Sequence, residues 1–212
     1  MPAKRKRLRT YVAITSSMVI AGATAYFFDI PPFSSRAEIH AADVCAVLGE
    51  SENLVPALRT ALPESSEYSF KNREILLGEM SDRRSQRFIC RVDGEDGNFS
   101  RLFTSDTRIA LAESSQLWIE NYVNPFRPED YPLREFKAGD KGVASIRTAG
   151  IFAPCIPDGK IIGGQYNIST VVALDRDNDS DDGDTRQALI DIARSAAEYA
   201  HKKAKCELPS KL

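Results

Sequence analysis

Tyr166-Asn-Ile-Ser-Thr-Val-Val-Ala-Leu174 alternates its side chains, with Tyr166, Ile168, Thr170 and Val172 on one side. Period two and a high share of β-branched residues make this a strand. The acidic run Asp175-Arg-Asp-Asn-Asp-Ser-Asp-Asp-Gly-Asp184 follows. Residues 185–206 then carry Leu189, Ile192, Ala193, Ala196, Tyr199 and Ala200 at helical spacing. Asp184 is the expected N-cap. Lys202, Lys203 and Lys205 stand at the far end, where the helix dipole favours cations. The many alanines on the inner face let such a helix lie close on a sheet.

Upstream, Phe88, Cys90 and Val92 alternate with Arg87, Ile89 and Arg91, and Asp93-Gly-Glu-Asp-Gly-Asn98 has turn chemistry. Phe99, Arg101, Phe103, Ile109 and Leu111 continue as a strand, and Tyr68 and Phe70 open an earlier one that extends to Gly78. The three form an antiparallel meander. A short helix is expected over 41–48, closed by Gly49. A second is expected over 51–62, restarting at Pro56 and stopped by Pro63. Further on, a helix over 112–123 presents Leu111, Trp118 and Tyr122, Pro125, Pro128 and Pro132 break the chain, and one strand over 143–152 leads to Cys155. This order predicts the α+β class: one antiparallel β-sheet packed with helices. The two halves look alike in outline, without a residue-level repeat.

The amino terminus sets the expected compartment. Lys4-Arg-Lys-Arg-Leu-Arg9 precedes eighteen uncharged residues, Tyr11 to Phe28. As a helix these would be about 27 Å long, close to the hydrocarbon thickness of a bilayer. Basic flanks stay cytoplasmic. The reading is a basic tail over 1–10, a transmembrane signal-anchor over 11–30 held in the lipid bilayer, a tether over 31–40 and an extracytoplasmic domain over 41–212. Small residues such as Ala21-Gly22-Ala23 leave secretion after signal cleavage as the alternative. Tyr26, Phe27 and Phe28 prolong the apolar run past those sites and favour the anchor.

The chain carries 28 basic and 30 acidic residues. The tail takes five of the basic ones, so residues 31–212 hold 23 against 29 acids, a net of −6. That balance gives solubility and speaks against adhesion to DNA or anionic lipid. No nucleic-acid partner is expected, whereas a protein or cell-wall component is.

Cys45, Cys90, Cys155 and Cys206 all lie beyond the apolar segment, at spacings no zinc site uses. In an oxidising compartment they read as two disulfides. Of three possible pairings, Cys45–Cys90 with Cys155–Cys206 is favoured, because each ties a helix to a strand nearby in sequence.

No catalytic, cofactor-binding or metal-binding residue is assigned, and no cofactor is expected. The acidic run lacks the bidentate glutamate of a calcium loop: with Gly183 at the sixth position, the twelfth is Leu189. His40 and His201, the only histidines, read as surface residues, and no nucleophile elbow surrounds Ser145. Glu129-Asp130 could serve a carboxylate hydrolase but nothing singles it out. Trp118, Tyr122 and Phe126 read as packing residues rather than a binding surface. Asn98, Asn167 and Asn178 stand in glycosylation sequons, relevant only in a eukaryotic secretory pathway. These readings favour a binding module, with a carboxylate hydrolase or a structural subunit of a membrane complex as alternatives.

Val44-Cys45-Ala-Val-Leu-Gly49, Cys90-Arg-Val-Asp-Gly94, Gly139-Asp-Lys-Gly142, Pro154-Cys155 and an alanine-rich helix ending at Cys206 occur in that order. The order resembles that of uncharacterised membrane-anchored or secreted proteins of Streptomyces and related actinobacteria, and is more distantly similar to PsbP-like lipoprotein domains. The resemblance implies an envelope protein with paired cysteines, and carries over no catalytic residue.

Overall fold

Seven strands make one sheet: β1 (Tyr68–Leu76), β2 (Gln86–Glu95), β3 (Phe99–Leu111), β4 (Arg134–Phe136), β5 (Lys141–Ala144), β6 (Thr148–Ile156) and β7 (Tyr166–Leu174). Their spatial order is β1-β2-β3-β7-β6-β5-β4, and every neighbouring pair is antiparallel. Two meanders therefore meet at the β3–β7 ladder. Helices α1 (Ser51–Ala61), α2 (Ser115–Trp118) and α3 (Asp182–Lys203) complete an α+β fold. The computed structural model describes residues 36–76, 86–95, 99–111, 114–126, 130–160, 164–178 and 180–212. The chain divides into two units, Met1–Ala37 and Glu38–Leu212, and the sheet and its helices all belong to the second. The expected basic tail and transmembrane segment lie outside the described residues, as does the first half of the tether, 31–35. Among the described residues no helix is long and apolar enough to cross a membrane.

One sheet face carries the main core. Phe88, Cys90 and Val92 of β2, Phe103 of β3, Ile168 and Val172 of β7, and Ile151 of β6 are buried there. Helix α3 packs on them with Leu189, Ile192, Ala193, Ala196 and Ala200, all fully buried, and α1 adds Leu54 and Leu58. Gly49, at φ 108°, lies so close to α3 that a Cβ there would stand 2.3 Å from Ser195 Oγ. That position needs glycine for both reasons.

The cysteines form Cys45–Cys90 and Cys155–Cys206. The first bridge ties the amino-terminal segment to β2, and the second ties the chain just after α3 to β6.

Several elements depart from expectation. The helix over 41–48 is two 3-10 turns, Ala41–Asp43 and Ala46–Leu48, separated by Cys45 where it reaches for Cys90. Pro56 lies inside α1 and does not restart it. Only the carbonyl one turn earlier loses its partner, on an exposed side. The strand over 143–152 is two strands, because Ser145 N bonds Thr148 O at 2.7 Å while Ser145 Oγ accepts from Arg147 and Thr148 amides. A hydroxyl-closed turn carries no glycine or proline to announce it. β4 went unpredicted, being three residues long and amid prolines. The expected helix over 112–123 is a single α-turn capped by Ser114, followed by a π-turn at Ile119–Val123. The i→i+5 winding places Trp118 and Val123 on one side. Asp181, not Asp184, caps α3, accepting from Gly183 and Asp184 amides. The helix ends at Lys203, before Cys206.

Candidate functional site

The sheet face turned away from α3 is divided. Following directly paired residues from strand to strand gives its rows. One row runs Ile75, Arg87, Arg108, Ser169, Phe152 and Lys141. The next runs Arg73, Ile89, Asp106, Val171, Gly150 and Val143. A third runs Lys71, Arg91, Thr104, Ala173 and Thr148, and beyond a bulge Asp93 pairs with Arg101.

On β5–β7 this face is covered. Trp118 is fully buried, stacked on Phe152 at 5.3 Å between centroids, and its Nε1 donates to Ser169 Oγ at 3.0 Å. Gly150 makes room: a Cβ would come within 3.0 Å of Val123 and 3.1 Å of the Trp118 ring. Val143 and Val171 complete this second, smaller core.

On β1–β3 the same face is basic. Lys71, Arg73, Arg87, Arg91, Arg101 and Arg108 share it with three acids, Asp93, Glu95 and Asp106. Lys71, Arg73, Arg91 and Arg101 are exposed, and Ile75 and Ile89 are half-buried between them. The net charge of −6 over residues 31–212 thus conceals a local surplus of cations.

Two of the guanidiniums are held by a carboxylate. Asp106, 3% exposed, accepts from Arg87 Nε at 2.8 Å and Nη2 at 2.6 Å, and also from Arg108. The hydrogen bonds that Arg87 donates to Asp106 raise the pKa of Arg87 above its ordinary value. Arg108 also lies 5.5 Å from the centroid of the Tyr122 ring. Lys71 pairs with Asp93 at 2.6 Å. Arg73 and Arg91 form no ion pair among the described residues.

Where the basic half meets the covered half lies a cleft of about 400 Å³, lined by Arg101, Thr104, Phe126, Arg147, Leu174 and Asp175. Arg147 is buried; its Nε and Nη2 donate to Leu174 O at 3.1 and 3.0 Å, and its Nη1 binds Asp177. Asp175 faces Arg101 at 3.6 Å. Burial raises the Asp175 carboxyl, against the pull of Arg101, Arg147 and Arg91. The buried Thr104 hydroxyl approaches Asp175 without a hydrogen bond of good geometry.

The residues weighed in the sequence take structural places. His40 is exposed. His201 is not a plain surface residue: its Nε2 lies 3.1 Å from Pro154 O and 2.9 Å from Leu208 O, tying the tail to β6. Asn167 is buried, and Asn178 donates to Thr60 and Ala61 carbonyls at 2.8 Å, so neither offers its amide to a glycan. Asn98 and Glu129 lie outside the described residues. Among the described residues no cluster of three or more His, Cys, Asp or Glu side chains could hold a metal ion. A second cleft, about 810 Å³, holds Glu135, Asp140 and Glu198, but Glu135 is bound by Lys141 and Asp140 by Lys211 at 2.8 Å. Leu117 is the exposed large apolar side chain among the described residues. The basic face is the feature that sequence reasoning missed. Its signal was the run of cations at alternate positions opposite Phe70, Phe88 and Val92.

Comparison with protein-family profiles, curated proteins and solved structures finds no match to this chain.

Proposed function

We propose that the protein is a single-pass envelope protein whose extracytoplasmic domain is a binding module working through the basic face of β1–β3. Residues 11–30 anchor it, the amino terminus is cytoplasmic, and it belongs with the actinobacterial envelope proteins it resembles. The two disulfides fit an oxidising compartment. The observation that carries the binding role is the division of one sheet face into an apolar half under Trp118 and a half where six cations stand with three acids. A face kept only for solubility has no need of guanidiniums fixed by a buried carboxylate. Arginines so held lose less freedom when a ligand arrives.

A photo-crosslinking residue placed at 73 or 91 in the full-length protein, in intact cells, should give a discrete adduct, while the same residue at 202 should not. Equal labelling from all three positions, or none from 73 and 91, refutes the binding face. Alkaline phosphatase fused after Leu212 should be active outside the cytoplasm, and activity confined to the cytosol refutes the topology.

A further inference from the structure

We infer that the basic face takes a phosphate-bearing linear polymer laid along β1–β3. This rests on the reading of β1–β3 as the binding face and names its ligand class.

Three observations point there. First, five of the six cations are arginines. The planar fork of a guanidinium matches phosphate oxygens in a way that an ammonium does not. Second, the cations cover a length. Arg87 and Arg91 are four residues apart on β2, about 13 Å at the rise of a strand, and Lys71 and Arg73 widen the strip onto β1. That area is too large for one small ion and suits several linked charges. Third, the face is stepped. The segment around Trp118 and Tyr122 stands on the neighbouring strands, with Tyr122 against Arg108. A flat bilayer meets such a ledge poorly, and a chain can lie along it. A membrane surface is therefore the disfavoured source of the same phosphate chemistry.

The test uses the full-length protein in uncharged detergent, with long-chain inorganic polyphosphate as probe and orthophosphate as the single-group control. Polyphosphate should bind at least ~100-fold more tightly than orthophosphate, because several contacts act on one chain. Arg73→Gln with Arg91→Gln should weaken it by about tenfold. The double change should also flatten the dependence of log Kd on log salt by about one unit per arginine. Lys160→Gln with Lys202→Gln, exposed and off this face, should leave binding unchanged. Thermal melts of each variant separate lost binding from lost folding. Absence of polyphosphate binding overturns the ligand class, and so does tighter binding to phosphatidylglycerol vesicles than to polyphosphate. If crosslinks from 73 and 91 persist in that case, the face stands and only its ligand falls. Polyphosphate binding that ignores Arg73 and Arg91 overturns the face itself.

Discussion

On β5–β7 the sheet face opposite α3 is apolar and lies beneath Trp118, whereas on β1–β3 the same face is basic and carries no cover among the described residues. Both halves are read along the same rows, which run through the β3–β7 ladder. What differs is the residue at every second position. Val143, Phe152 and Val171 ask for an apolar partner, and the α-turn and π-turn after Ser114 supply one. Lys71, Arg73 and Arg91 ask for water or an anion. One backbone thus carries an apolar core in one half and a charged surface in the other.

The largest expected contrast follows from removing the cover. Trp118→Ala should lower the free energy of unfolding by about 3–5 kcal/mol, the usual cost of emptying a buried aromatic site. Arg91→Ala should stay within about 0.5 kcal/mol of the parent, as exposed positions do. Urea denaturation of both variants measures the difference, and equal losses would abolish the distinction between the halves.

Asp106→Asn comes next. It leaves two guanidiniums without their carboxylate, yet these are 42% and 33% exposed, so water offsets part of the loss. A cost of about 1–3 kcal/mol is expected, below that of a fully buried pair. A cost near zero would mean that Asp106 does not hold the basic half in shape.

The smallest effects are in pH dependence at the border between the halves. Burial raises the Asp175 carboxyl above its ordinary 3.8, so the native state keeps that proton to higher pH than the unfolded chain does. Its contribution to stability is present below the ordinary value and is lost as pH rises through the raised native one. Asp177 is the reverse case. Its hydrogen bond from Arg147, aided by that from Tyr131, lowers its carboxyl. Its contribution is present above the ordinary value and is lost as pH falls through the lowered native one. Urea titrations over the acid range should show Asp175→Asn removing the fall on the alkaline side and Asp177→Asn removing the loss on the acid side. Identical profiles for the two variants would contradict this assignment.

The parts legible in the sequence were those where one element buries one face. Alternation in β2 and β7 and the alanine-rich stripe of α3 are local patterns, and each states its own environment. The turn at Ser145 was hidden because a side-chain hydroxyl closes it, and the π-turn because Trp118 and Val123 answer to Gly150 on a distant strand. The basic face was half legible. Arg87 and Arg91 were visibly opposite Phe88 and Cys90, but only the pairing of β1 with β2 and of β2 with β3 brings Arg73, Arg91 and Arg101 together. The cleft was illegible, since Arg101, Arg147 and Asp175 come from three separate stretches whose meeting depends on the β3–β7 ladder.

The two cystines have a mechanical consequence. Each closes within its own meander, Cys45 onto β2 and Cys155 onto the residue just past α3. Tension applied at Glu38 and Leu212 therefore bypasses α1 and α3 and loads the central ladders β2–β3–β7–β6 directly. The spans of 45 and 51 residues locked behind the bridges could not unravel even after those ladders gave way. They withhold on the order of 300 Å of contour, so a stretched molecule would lengthen by roughly half of what its residue count allows, and a reducing agent would release the remainder.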